Sequence, residues 1–162
     1  MPDGARLYEE DFFAWTQDQA ARLRALPPEA RGNGLDVEHL AEEIEDMGKR
    51  DRRSAMSRLR MVLVHLRKLA ASATHEPRGH WRGELRGFRR GLEVVLEDSP
   101  SLRRYVADQY PDAWNAAVRE AADALEAFGD VGGQEMIEAM SDTPFDLTSQ
   151  VLNPDWYPPY PR

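Results

Sequence analysis

Apolar residues recur with the 3.6-residue period of an α-helix between Asp36 and Ala73, and this long stripe limits the fold more than any other feature. An unbroken helix over that range would be about 57 Å long, whereas a compact domain of this chain's length is only about 40 Å across. Gly48, followed by Lys49 and Arg50, has the character of a helix C-terminus. The sequence therefore predicts a kink or break around residues 48–51.

The rest of the chain has the same helical period, and no segment alternates between apolar and polar residues as a half-buried strand does. Pro27 and Pro28 should end the first helix. Ser99 and Pro100 should begin the last long one, which Pro111 should kink or split. The further helices are predicted at about residues 8–26, 80–97 and 100–128, with a short helix at 147–152. The stretch 129–145 should be mostly irregular, although residues 135–140 could form a helical turn.

These segments predict an all-α fold, an up-and-down four-helix bundle with kinked helices in one domain over residues 1–162. The Pro- and aromatic-rich C-terminal tail, residues 153–162, could bind an aromatic-lined groove of another protein. The favoured interpretation is that it lies over its own domain and buries Trp156 and Tyr157. Residues 61–66 are apolar on nearly every face, which predicts a buried central helix.

The composition excludes several classes of protein. The chain has no cysteine, which excludes disulfides and thiolate metal sites and is typical of a reducing compartment. With 41% hydrophobic and 31% charged residues it is too apolar for a disordered chain. No secretion signal or membrane-spanning run is visible, so we expect a cytoplasmic protein without a membrane partner.

Charge is distributed unevenly around a net value of −8. Residues 49–90 hold 13 basic and 3 acidic side chains, whereas residues 1–48 hold 4 and 12, and residues 91–162 hold 4 and 14. A basic segment between acidic ones indicates either an anionic partner or helices of opposite charge packed together.

Four blocks of sequence occur in an order that resembles the bacterial family catalogued as domain of unknown function twenty-nine. They are Tyr8-Glu-Glu-Asp-Phe-Phe-Ala-Trp, Leu35-Asp-Val-Glu-His-Leu-Ala-Glu-Glu-Ile-Glu, Leu63-Val-His-Leu and Leu96-Glu-Asp-Ser-Pro-Ser-Leu. The resemblance covers about residues 8–156. It implies a helical-bundle fold and no established activity, and it supplies no catalytic motif.

One polar cluster is a candidate site. Arg58 and His65 fall inside the apolar stripe, and Glu43 could reach them if the chain folds back at Gly48. A carboxylate beside a histidine and an arginine can orient a general base or hold part of a metal site. The favoured interpretation is a structural network, because a buried arginine must be paired. His65 itself should be buried.

An Arg-Gly pair recurs every four residues from Arg78 to Gly91. Such repeats bind RNA in disordered chains, but Trp81, Leu85 and Phe88 at helical spacing favour a helix with a strip of small residues for close packing. The arginines that could together bind an anion are Arg53, Arg60, Arg67, Arg82, Arg86 and Arg90.

The sequence contains no phosphate-binding loop, nucleophile elbow or cofactor motif, so we expect no cofactor and favour a non-catalytic interaction module over an enzyme. We expect a protein partner, which includes a second copy in a homodimer, rather than nucleic acid. The alternatives are a nucleic-acid-binding protein that uses residues 49–90, and a metal or hydrolytic site near Glu43 and His65.

Overall fold

In a computed structural model, which describes residues 3–139 and 143–161, every regular element is a helix. The elements are α1 (Gly4–Glu10), α2 (Phe12–Arg24), a 3-10 turn (Pro28–Ala30), α3 (Val37–Ala71), α4 (Arg78–Glu97), α5 (Pro100–Ala127), α6 (Val131–Ala139) and one turn of π-helix (Leu147–Val151). The all-α prediction is confirmed, and the up-and-down four-helix arrangement stays a prediction. Within the described ranges, none of the helices combines the length and the apolar character that a membrane crossing requires.

The described residues form two compact units. The first contains residues 3–55 and 94–105, and the second contains residues 56–93, 106–139 and 143–161. Helices α3, α4 and α5 each contribute residues to both units. The prediction of a single domain over residues 1–162 stays a prediction.

The segment predicted as one helix over residues 8–26 is divided at Asp11. The backbone of Asp11 is extended, with φ −157° and ψ 83°, and its carboxylate accepts a hydrogen bond from the Ala14 N–H at 3.1 Å. Asp11 is therefore the N-cap of α2 and not part of a first helical turn.

In the first unit, the N-termini of α2 and α5 cap each other. Asp11, the N-cap of α2, also accepts hydrogen bonds from the Ser101 N–H at 2.8 Å and the Ser101 hydroxyl at 2.6 Å. In return, the Ser99 hydroxyl oxygen, just before α5, accepts a hydrogen bond from the Phe13 N–H at 3.2 Å. Both first turns thus gain acceptors for N–H groups that the helices leave unpaired, and one carboxylate lies at the positive ends of two helix dipoles.

Of the kink or break predicted at residues 48–51, the break is wrong, because α3 is helical without interruption from Val37 to Ala71. Gly48 permits a close approach of α2. A Cβ atom at this position would lie 2.3 Å from the Thr16 hydroxyl oxygen and 3.3 Å from the Phe13 ring. Gly48 therefore does not end a helix; it lies inside α3 and allows α2 to pack closely against it.

Two other expectations change near the C-terminus. Helix α5 is not split at Pro111, which lies inside it. Helix α6 includes residues 135–139 of the possible helical turn and begins earlier than expected, because the Asp130 carboxylate accepts a hydrogen bond from the Gly133 N–H at 2.9 Å and starts the helix. The short helix expected after residue 146 is confirmed as a π-helical turn, and Asp146 caps it by accepting from the Thr148 and Ser149 N–H groups.

Asp11→Ala should lower the free energy of unfolding by about 2 to 3 kcal/mol, because it uncaps α2 and removes the acceptor for Ser101 together. Asp3→Ala, which uncaps only the exposed helix α1, should lower it by about 1 kcal/mol. Urea unfolding followed by circular dichroism measures both values. Equal losses for the two variants would contradict the shared cap.

Two glycine substitutions should change stability in opposite directions. Gly48→Ala should destabilise the protein by about 1 to 3 kcal/mol, because the added methyl group overlaps Thr16. Gly87→Ala should stabilise it by up to about 1 kcal/mol, because Gly87 is helical and an added Cβ would meet no atom within 4 Å. Melting temperatures of the two variants test the pair, and a stabilised Gly48→Ala protein would contradict the close packing.

Candidate functional site

In the second unit, residues 62–69 of α3 are buried on every side of the helix. The apolar part of this segment is Val62, Leu63, Val64, Leu66 and Leu69, all of them buried as the sequence predicted. The segment also contains three ionisable residues, His65, Arg67 and Lys68. A buried ionisable group must be paired or hydrogen-bonded, so the partners of these three residues define the polar chemistry of the core.

His65 is 3% exposed, which confirms that it is buried. Its Nδ1 lies 2.8 Å from the Met61 carbonyl oxygen, and its Nε2 lies 2.8 Å from Glu84 Oε2 on α4. Glu84 Oε1 is also 3.2 Å from His80 Nε2. Because a carbonyl oxygen only accepts, Nδ1 carries a proton, and the contact between Nε2 and an ionised Glu84 requires a second proton on the ring.

Burial and then the neighbouring charge of Lys68 hold the pKa of His65 below its ordinary value, against the opposing effects of Glu84 and the Met61 carbonyl. The pKa of Glu84 is also lowered, since the hydrogen bond from His65 and the charges of His65, His80 and Lys68 together outweigh its partial desolvation. The neutral ring has one proton for two acceptors, so the bond to Glu84 is strongest when His65 is protonated.

The other two buried cations lie on aromatic rings. The guanidinium of Arg67 is 3.9 Å from the centre of the Trp114 ring on α5, and the ammonium of Lys68 is 4.6 Å from that of Trp81 on α4. Cation–π contacts of this kind are strengthened by removal from water. Burial lowers the pKa of Lys68.

The three residues of the predicted polar cluster do not share one site. Glu43 is exposed on the uninterrupted helix α3, 3.6 Å from Arg50, and 22 positions along that helix separate it from His65. The fold-back that would have joined them is absent. Arg58 lies against α4, where a Cβ atom at Gly91 would come within 2.7 Å of its Nε.

A groove of about 530 Å³ lies beside the bond between His65 and Glu84. It is lined by Ser57, Arg58, Met61, Glu84, Gly87, Phe88 and Gly91. The helix that the Arg-Gly repeat predicted is confirmed as α4, and two of its glycines border the groove. The close packing expected of the small-residue strip is found only at Gly91, against Arg58, because a Cβ atom at Gly79, Gly83 or Gly87 would meet no atom within 4 Å. His65 itself does not line the groove, so it is poorly placed to act as a base on a molecule bound there. Among residues 3–139 and 143–161, no three His, Cys, Asp or Glu side chains are arranged to hold a metal ion.

The six arginines proposed for anion binding have different environments. Arg67 is 1% exposed, so its assignment to a surface is wrong. Arg60 is 3.2 Å from Glu120, and Arg82 lies 4.0 Å from the centre of the Tyr157 ring. These two are exposed, and so are the other three. Arg53 belongs to the first unit, and Arg86 and Arg90 line a groove of about 720 Å³ that also includes Glu93 and Asp155.

A buried arginine that the sequence analysis did not single out holds the C-terminal tail. Arg89 on α4 donates hydrogen bonds to the carbonyl oxygens of Gln150, Val151 and Trp156 at 2.8, 2.8 and 2.9 Å. The Trp156 ring packs on Phe145 with 5.1 Å between ring centres. The tail thus lies against its own unit, as the favoured interpretation expected, but Trp156 and Tyr157 are half-buried and not buried. In the sequence, Arg89 occupies a position of the α4 stripe that is otherwise apolar. That position is the one sequence signal that could have predicted a buried arginine.

Phe128 is the second functional candidate that the sequence analysis missed. It continues the apolar stripe of α5, yet it is 71% exposed. Val131 and Met136, on α6, are exposed too. We call these three residues the Phe128 patch. Beside it lies a pocket of about 320 Å³, lined by Thr74, Glu76, Pro77, Trp81, Phe128 and Asp130.

The described residues form an all-α protein in which buried His65 and Arg89 are hydrogen-bonded to groups of the same unit. The chain belongs to the family described as "Domain of unknown function DUF29", whose model matches residues 7–157. It is similar to an alpha-helical protein of unknown function from Rhodospirillum rubrum ATCC 11170, with 30% sequence identity and a TM-score of 0.76 over 92% of this chain and 90% of that one. No curated protein matches the sequence.

Glu84→Gln should lower the pKa of His65 further, because it removes the carboxylate that favours the protonated ring and supplies an amide donor to neutral Nε2. In the unaltered protein, stability should fall as the pH drops from the ordinary histidine pKa to the lower pKa of folded His65, since the unfolded chain takes up the proton first. NMR titration of the histidine rings measures the shift. The exposed His39, whose pKa Asp36 raises, is the internal control and should not move.

Proposed function

We propose that this chain is a non-catalytic protein-interaction module, and that the Phe128 patch with its adjoining pocket is the binding surface. The observation that carries the proposal is the exposure of Phe128, a large aromatic side chain left 71% open to solvent at the edge of a pocket. Exposed aromatic side chains beside a pocket are typical of the residues that dominate binding energy at protein interfaces.

The turn that presents Phe128 is well defined. Gly129 has φ 73°, a conformation that favours glycine, and the Asp130 N–H donates to the Leu125 carbonyl at 2.9 Å. The Asp130 carboxylate accepts hydrogen bonds from the Ser72 hydroxyl at 2.5 Å and, at the start of α6, from the Gly133 N–H. A surface fixed in this way loses little conformational entropy when a partner binds.

The pocket has the size and lining for one large apolar side chain. Its volume is about 320 Å³, and buried Trp81 forms one wall. The Trp81 and Phe128 ring centres are 6.4 Å apart, with an angle of 63° between the rings. A partner's Trp, Phe or Leu side chain could contact both rings and be removed from water there.

The charge around the pocket indicates which residues should flank the partner's apolar side chain. Residues 120–138 contain six acidic side chains and no basic one. Glu76 and Asp130 line the pocket itself. A partner segment with lysine or arginine on either side of the apolar anchor would therefore complement the rim in charge, which improves the rate and specificity of association.

The environments of the charged groups favour this proposal over the alternatives. A metal or hydrolytic site at Glu43 and His65 required the chain to fold back at Gly48. The two residues instead lie 22 positions apart on one uninterrupted helix. Fewer arginines of the basic segment are available to contact the phosphates of a nucleic acid than the sequence indicates, since Arg67 is buried and Arg60 and Arg82 already have partners. We therefore expect protein, not DNA or RNA, to be the partner.

Selection from a phage library of random twelve-residue peptides tests the proposal with synthetic peptides as probes. We expect enrichment of peptides with one large apolar anchor between basic residues, and at least tenfold weaker binding, by fluorescence anisotropy, to Phe128→Ser with Val131→Ser. Val94→Ser is the matched control, because Val94 is an exposed apolar residue of the other unit. No enrichment, or equal binding to the double variant, would contradict the proposal.

A further inference from the structure

We propose that the groove lined by Arg86, Arg89 and Arg90 of α4 and by residues of the range 148–155 binds the oxyanion group, phosphate or carboxylate, of a small organic molecule. We call it the Arg89 groove. Its volume of about 720 Å³ is typical of small-molecule sites. All of its lining residues belong to the second unit, and none of them lines the pocket beside Phe128. The inference is therefore independent of the function proposed for the Phe128 patch.

The buried charge of Arg89 is the main reason to expect an anion. Arg89 is 4% exposed and borders the groove, yet it forms no ion pair with any carboxylate of the described residues. Its charge is met only by three carbonyl oxygens and by the Tyr157 ring, whose centre is 5.5 Å away. Burial accordingly lowers the pKa of Arg89. A bound anion supplies the missing counter-charge at a position where removal from water strengthens the attraction.

Two N–H groups of Arg89 have no acceptor in the part of the chain that the structure describes. A guanidinium carries five N–H groups, and Arg89 donates three of them, one from each nitrogen, to the carbonyl oxygens that hold the tail. The remaining two, one on each terminal nitrogen, are donors for an oxyanion. Hydrogen bonds between a guanidinium and a phosphate or carboxylate are among the strongest in proteins.

Arg86 and Arg90 are exposed donors along the same groove. They are four residues apart on α4, so they lie on the same side of the helix. Neither contacts a partner among the described residues, whereas Arg78 and Arg82 each lie on a tyrosine ring of the tail. Arg86 and Arg90 can therefore bind an oxyanion without breaking a native contact.

The rest of the lining limits the size and charge of the ligand. Glu93 and Asp155 also line the groove, so its three guanidinium groups outnumber its carboxylates by only one. An extended polyanion would also be repelled by the net charge of −8 on the whole chain, which favours a small anion. Leu152 and Pro154 give the groove apolar surface for the body of an organic molecule.

NMR titration of the isotopically labelled whole chain with phenyl phosphate and with benzoate tests the proposal. We expect saturable shifts of amide signals in residues 86–93 and 148–155 below about 10 mM of the anion. The two probes share a ring and differ in the anionic group, so the tighter one identifies phosphate or carboxylate as the group recognised. Benzyl alcohol keeps the ring without the charge and should bind at least about tenfold more weakly.

Arg86→Gln with Arg90→Gln should weaken the binding of the anions at least about tenfold, because it removes two charged donors. The melting temperature should not change, since neither side chain has a described partner. The matched control is Arg104→Gln with Arg119→Gln, which removes the same charge at exposed arginines that do not line the groove and should leave binding intact.

Asp155→Asn should strengthen anion binding, because it removes a negative charge from the groove. The proposal would be overturned by weaker binding to this variant, by the lack of saturable shifts with either anion, or by equal affinity of the anions and benzyl alcohol. Unchanged binding to the Arg86 and Arg90 variant would overturn it too. Phe128→Ser with Val131→Ser should bind the anions normally, so this proposal and the one on the Phe128 patch can fail separately.

Discussion

The burial of residues 62–69 on all sides of one helix is the constraint that organises the second unit. A purely apolar segment could be buried on all sides by packing alone, but this one includes a histidine, an arginine and a lysine. Each requires a particular neighbour, since a buried charge without a partner is destabilising. Glu84 and Trp81 on α4 and Trp114 on α5 supply these neighbours, so the buried cations help to specify which residues of those helices face α3.

Periodicity predicted the helices because each amphipathic segment keeps one apolar face, and that signal is local. The interruptions were harder to predict, since they depend on contacts between residues distant in sequence. Gly48 has the composition of a helix end, but the approach of α2 determines its role. Asp11 looks like one acid of an acidic first turn, and only its bonds to Ser101, 90 residues away, show that a new helix begins after it.

The same distinction applies to the candidate site. The burial of His65 follows from its position in the stripe, whereas its partner Glu84 depends on how α4 packs against α3. Arg67 was expected at the surface because arginines usually lie there, and the Trp114 ring that accommodates it is 47 positions away. Phe128 keeps the helical phase of α5 yet is exposed, because the Gly129 turn ends the helix at that point.

The hydrogen bonds of Asp11 and Arg89 also have a consequence for folding kinetics. Asp11 joins residues separated by 90 positions, and Arg89 joins α4 to carbonyl groups 61 to 67 positions further along. Helical proteins usually fold fast because most of their contacts are local. In this chain the bonds between Asp11 and Ser101 can form only after α5 is present, and the bonds of Arg89 can form only after the C-terminal tail is present. Synthesis on the ribosome therefore leaves the N-terminal segment without its shared cap until most of the chain has been made.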